Sequence, residues 1–152
     1  MLCRGLGLAL GRGRQAGVGM NQVSSQLDPA RREKFILVVE DEMLVQIMVS
    51  DSLRDAGFNV IEAFNADEAV RILHTGVKID LMISDVRMPG SMDGLGLLEY
   101  SLEKFPTLPV ILTSGHMLQD DALANGARHF LGKPYSFDLA IAVIEVELAK
   151  AR

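Results

Sequence analysis

Carboxylates stand directly behind two continuous apolar runs. FILVV at 35–39 is followed by Glu40, Asp41 and Glu42, and Ile79, Leu81, Met82, Ile83 and Ser84 lead into Asp85. Runs of this kind read as short strands buried on both faces. In open parallel α/β sheets, ligands bind outside the carboxyl ends of the strands. Asp85 taken alone is equally well a strand-ending turn residue, and the second acidic group tips the balance. With the two strands as parallel neighbours, Glu40, Asp41 and Asp85 converge on one small site carrying more negative charge than a pocket tolerates without a cation. An oxygen-only, carboxylate-rich ligand set with room for water is the preference of Mg²⁺ or Mn²⁺. A further run at 110–113 ends in the hydroxyl of Ser114, and another at 128–131 leads into Gly132, Lys133 and Pro134. The site therefore gathers acids, a hydroxyl and an ammonium.

Between these strands the periodicity turns helical. Over 43–56, Val45, Met48, Val49, Ser52 and Ala56 form the stripe expected to face the sheet, with Gly57 as the stop. Residues 58–63 read as a further strand. Asn65 with Glu68 three later resembles a capping box opening a helix that runs through Leu73 and ends by Gly76. After Asp85, Met88, Pro89, Gly90 and Ser91 make a stiff turn and Asp93 caps the next helix, whose expected stripe is Leu95, Leu98, Leu102 and Phe105 before Pro106. Only 117–125 is available for the following helix, which is therefore short. The last helix, 136–150, is apolar on more than one face. One face must pack on the sheet, and the rest is expected to meet a partner or a second copy of the chain.

The chain has 152 residues, 49% of them apolar, enough for one domain with a real core and no separate output domain. Residues 1–34 hold six Lys/Arg against two acids, so the remainder carries −9 of the net −5. That acidic body argues against nucleic-acid binding by the domain itself. Cys3 is the single cysteine, which excludes a disulfide framework within the chain and fits a reducing cytoplasm. The first twenty residues are rich in Gly and Arg, too short in apolar sequence to span a membrane and without the apolar centre of a secretory signal. Residues 1–34 are expected to be a disordered extension, with a short leading helix somewhere in 21–34, and translation starting at Met20 is an open alternative. His74, His116 and His129 have no paired-ligand spacing, so zinc is not expected.

In their order, these parts resemble the receiver domain of bacterial two-component response regulators. The resemblance runs from Phe35 to about Lys150. It rests on the acidic pair after the first strand, Asp85 with its MPGSMDG continuation, Ser114 after the fourth strand and Lys133-Pro134 after the fifth. It implies a doubly wound, five-stranded parallel sheet of the flavodoxin-like, CheY-like kind with strand order 2-1-3-4-5. It also implies that Asp85 is a phosphoacceptor and that Glu40, Asp41, Asp85 and the backbone carbonyl of Arg87 hold the Mg²⁺. Ser114 and Lys133 would bind phosphoryl oxygens, Ser114 and Phe130 would act as switch residues, and the Lys133-Pro134 bond would be cis. Phe130 is equally readable as a plain core residue. His116 and the Arg87 side chain would lie near the phosphoryl pocket, His116 read as solvated.

The partners implied are a histidine kinase or histidine phosphotransfer protein and an unidentified downstream protein. Leu44 and Ile47, off the helix stripe and near the acidic rim, are candidate docking residues or simply scattered exposure. The expected role is a stand-alone cytoplasmic phosphoacceptor. The alternative is a receiver-like module that binds protein without being phosphorylated. A haloacid dehalogenase type of phosphatase would need a second Asp two residues after the nucleophile, where this chain has Arg87.

Overall fold

In the computed structural model, residues 28–150 are described. Five parallel strands, β1 (Phe35–Val39), β2 (Asn59–Ala63), β3 (Leu81–Asp85), β4 (Val110–Ser114) and β5 (His129–Gly132), form one sheet in the order β2-β1-β3-β4-β5. This is the doubly wound architecture that the receiver resemblance implies. Four helices connect the strands, α1 (Met43–Asp55), α2 (Ala66–His74), α3 (Gly94–Lys104) and α4 (Gln119–Ala124), and a fifth, α5 (Phe137–Lys150), follows β5.

Alternate residues of each strand feed opposite layers, because strand side chains change face with period two. Leu37, Val39, Met82 and Leu112 join Ala69, Leu73, Leu97 and Leu98 from α2 and α3. Ile36, Val38, Ile83 and Ile111 join Val49, Leu53, Ala140 and Ile144 from α1 and α5. Each fully buried Leu, Ile or Val contributes about 1.5–3 kcal/mol, which makes the strands stiff supports for whatever follows their last residues.

Two helix faces differ from the expected stripes. On α1 the buried residues are Gln46, Val49, Ser50 and Leu53, and Met48 is 55% exposed. On α3 they are Gly94, Leu97, Leu98 and Ser101, while Leu102 is exposed. Both true faces follow the i, i+3, i+4, i+7 spacing of a helix, but Gln, Ser and Gly occupy half of their positions. Gln46 is accommodated because its Nε2 donates to the carbonyl of Ala63 at 2.8 Å.

At the start of α2, the Glu68 amide donates to Asn65 Oδ1 at 2.8 Å, and Glu68 Oε2 accepts from the Phe64 amide at 2.8 Å. α4 has six residues, as short as expected, and α5 buries one face while leaving Leu139 and Val146 exposed. The extension expected over 1–34 lies outside the described residues as far as 27. From Asp28 onward it packs on the domain, with a 3-10 turn at Arg31–Glu33. The Arg31 guanidinium bonds the Ala56 carbonyl at 3.0 Å, pairs with Glu145 of α5 and lies 5.7 Å from the centre of the Phe58 ring.

The edge strand β5 is fastened to α5 by an ionic cluster. Glu147 is 3% exposed, with Oε1 at 2.7 Å from His129 Nε2 and 2.6 Å from Lys150 Nζ. Burial alone would raise its carboxyl, but the bonds from Lys150 and His129 outweigh burial and hold it below the ordinary 4.5. Stability from this group is therefore present above pH 4.5 and is lost as pH falls through its lower folded value. We predict that Glu147→Gln is less stable than wild type by about 1 kcal/mol at neutral pH and that the difference closes in acid, as measured by thermal unfolding across pH.

Candidate functional site

Sheet register brings the sequence-predicted acids together. β1 pairs with β3 so that Val39 lies opposite Ser84; Glu40, just past β1, and Asp85, the last residue of β3, come next on the two adjacent strands. One strand further, Asp85 is opposite Thr113, and Ser114 is opposite Gly132, which precedes Lys133. The Lys133 amide donates to the Ser114 carbonyl at 2.9 Å, and the Lys133-Pro134 bond is cis.

Glu40 and Asp85 are 4% and 7% exposed, while Asp41 is half-buried. One carboxylate oxygen from each of Glu40, Asp41 and Asp85 lies within 4.8 Å of the others. Lys133 Nζ reaches across to Glu40 Oε2 at 2.9 Å and Asp85 Oδ1 at 3.3 Å, and Glu40 Oε1 accepts from the Glu42 amide at 3.2 Å. Burial pushes the carboxyls of Glu40 and Asp85 above their ordinary range, only partly offset by Lys133. Burial also works against the Lys133 charge, but Glu40 and Asp85 together outweigh it and the ammonium titrates above its usual range. Three acids against one ammonium leave the pocket short of positive charge. The donor set is all oxygen with no His or Cys, which fits a hard divalent cation such as Mg²⁺ or Mn²⁺.

Ser114 is at the expected strand end and buried, but its Oγ is engaged elsewhere. It accepts from the amides of His116 at 3.1 Å and Met117 at 3.3 Å, so the hydroxyl closes the β4–α4 turn. The His116 and Arg87 side chains are exposed. Phe130 is half-buried and packs against the layer under α2, α3 and α4.

Three neighbours of the site were not singled out as site residues from sequence. Gly94 touches the backbone of Asp85: a Cβ there would stand 2.0 Å from the Asp85 carbonyl oxygen, and the Gly94 amide donates to the Val86 carbonyl at 2.8 Å. The signal was glycine in the first turn of a helix, where its flexibility is a disadvantage unless space is lacking. Thr113 is buried and its carbonyl accepts from the Val86 amide at 2.9 Å, which fixes the chain just after Asp85. Tyr135, whose phenol is pushed up by burial, lines an apolar groove with Val45, Met48, Val49, Lys133, Pro134 and Phe137.

The family model for the response regulator receiver domain matches residues 36–145. The chain belongs to the response regulator receiver domain family. A putative NtrX-like response regulator of Rickettsia felis is 33% identical to this receiver over 125 residues, covering 80% of this chain and 25% of that protein. The DNA-binding transcriptional regulator NtrC of Escherichia coli K12 is 34% identical over 114 residues, covering 73% of this chain and 24% of that protein. The receiver chain thus spans about a quarter of the length of these curated relatives. Among solved structures, NtrX from Brucella abortus superposes with a TM-score of 0.71 at 34% identity, over 77% of this chain and 27% of that one. The receiver domain of Francisella response regulator 1452 gives 0.73 at 24% identity, over 78% and 99%, which speaks for the fold.

Two predictions follow from the receiver's geometry. Gly94→Ala forces the helix off the Asp85 backbone and destabilises the fold by about 3 kcal/mol or more in denaturant unfolding. Asp85→Asn removes one buried negative charge and leaves Lys133 its bond to Glu40. In chelator at neutral pH it raises the melting temperature, about 4 °C for each kcal/mol gained, whereas added Mg²⁺ stabilises wild type more than the variant.

Proposed function

We propose that this receiver is a phosphoacceptor in a phosphorelay: Asp85 takes a phosphoryl group from a phosphohistidine of a histidine kinase or histidine phosphotransfer protein, and the resulting state is read through a protein-binding surface. The observation that carries this reading is the Lys133 ammonium held 2.9 Å from Glu40 and 3.3 Å from Asp85, beside Asp41, at the carboxyl end of a parallel sheet. Fold kinship alone would not argue function.

Glu40, Asp41 and Asp85 would hold Mg²⁺, with the Arg87 carbonyl as a further ligand. The cation supplies charge neutralisation when an anionic nucleophile meets an anionic phosphoryl group. Asp85 attacks phosphorus, the bond from phosphorus to the donor imidazole nitrogen breaks, and the imidazole departs with the electron pair and gains a proton. Lys133, already beside Asp85, exchanges part of its pairing with Glu40 for a phosphoryl oxygen. Ser114 turns its hydroxyl from the His116 and Met117 amides toward a second phosphoryl oxygen, and Phe130 fills the space behind it. Signalling is the population shift between these two arrangements. Water attacking the acyl phosphate resets the domain, with the exposed Arg87 side chain placed to influence its access and His116 solvated.

The surface next to Lys133 supports a helical donor. Leu44 is 75% exposed, Met43, Ile47 and Met48 are also exposed, and the groove lined by Val45, Pro134 and Tyr135 adjoins them. A cytoplasmic location follows from such a donor; among the described residues no helix is long and apolar enough to cross a membrane. The reader of the switched state is a separate protein in the stand-alone reading, and exposed Leu139 and Val146 on α5 offer a surface to it or to a second copy.

Intact mass after incubation with acetyl phosphate tests the reading. Wild type is expected to gain one phosphoryl group in Mg²⁺ and none in chelator, and Asp85→Asn to gain none in either. A wild type that stays unmodified while folded would favour the alternative, a receiver-like module that binds protein without phosphorylation.

A further inference from the structure

Residues 86–93 run from the Asp85 strand to α3, and this loop carries Arg87. Its two ends are fixed by backbone bonds, from the Val86 amide to the Thr113 carbonyl and from the Gly94 amide to the Val86 carbonyl. Met88 is buried, but Pro89, Gly90 and Ser91 are exposed and Gly90 holds a φ of 124°. The middle of the loop would therefore be free to sample several paths, were it not held from the side. Ser91 Oγ donates to Asp67 Oδ1 at 2.6 Å, and a Cβ on Gly90 would stand 3.5 Å from Asp67 Oδ2. Among the described residues no other side-chain hydrogen bond joins the middle of the loop to another element. Asp67 is itself well placed, in the first turn of α2 two residues after the Asn65 cap.

We propose that Asp67 and Ser91 form a latch between α2 and this loop, and act as positioning residues for divalent-cation binding at Glu40, Asp41 and Asp85. The proposal rests on the phosphoacceptor reading, in which the Arg87 carbonyl completes the cation site. A loop that spends only part of its time in the binding geometry weakens apparent affinity by that fraction. A short bond from a hydroxyl to a carboxylate is of the stronger, charge-assisted kind, so its loss should shift that fraction measurably even near solvent.

The experiment is calorimetric titration of the full chain with MgCl₂ at physiological ionic strength, with amide hydrogen exchange of residues 87–92 in the metal-free protein. Ser91→Ala and Asp67→Ala are each expected to weaken Mg²⁺ binding about three- to tenfold, and the double variant no more than Asp67→Ala alone. Asp67→Asn retains an acceptor oxygen and should recover most of the affinity lost in Asp67→Ala. Exchange in the loop should rise by a similar factor in Ser91→Ala, with the melting temperature nearly unchanged. Wild-type affinity and exchange in Ser91→Ala would overturn the latch. So would Asp67→Asn binding as weakly as Asp67→Ala, because Asp67 would then act through its charge alone. Wild type that takes up no Mg²⁺ would instead sink the cation site together with this role for the latch, an outcome distinct from the first two.

Discussion

Among the described residues Lys133 is the one ammonium paired with Glu40 and Asp85, and the site depends on that imbalance. Both Glu40 and Asp85 are pushed up because burial, with repulsion of Glu40 by Asp85 and of Asp85 by Asp41, exceeds what Lys133 returns. Such a pocket is unfavourable as it stands and becomes favourable when positive charge or a group binding positive charge enters. It persists because the apolar strands leave its residues little choice. Once Val39 pairs with Ser84, Glu40 and Asp85 must be neighbours, and displacing either would turn a core strand over.

The same rigidity separates the parts of the site that can move from those that cannot. Asp85 is bounded by the Val86–Thr113 bond on one side and by Gly94 pressed against its carbonyl on the other. Ser114 is different: its backbone is in the sheet, but its hydroxyl serves two turn amides that could be served by water. The α4 that follows is only six residues long and leaves Leu118 and Leu123 exposed, so little packing opposes a rearrangement of that turn. In the proposed function, the fixed acids and the hydroxyl of Ser114 on neighbouring strands would together give a two-state response to a bound group.

The sheet was legible in the sequence because four of its five strands, all but β2, are short runs with an apolar core that end in or lead at once into a chemical group. That adjacency located Glu40, Asp41, Asp85, Ser114 and Lys133 together. The faces of α1 and α3 were less legible, since Gln46, Ser50, Gly94 and Ser101 sit in buried positions and the apolar residues Met48 and Leu102 do not. Periodicity counts apolar side chains, whereas burial there is decided by a side-chain bond to the Ala63 carbonyl and by lack of space beside Asp85. The hydrogen-bond partners of Ser114 were beyond reach for another reason: residue type shows that a hydroxyl is present, not which amides it currently accepts from.

The arginine ahead of β1 bears on where this domain begins as a physical object. Family resemblance starts at residue 36, yet Arg31 joins the end of α1, the ring of Phe58 and Glu145 of α5 through one side chain. Asp80 similarly receives the Phe35 amide and the charges of Lys34 and Lys78. A fragment trimmed to the matched residues would leave Glu145 without its cation and the Ala56 carbonyl without that donor, so contacts with the domain reach several residues upstream of the boundary that homology alone would draw.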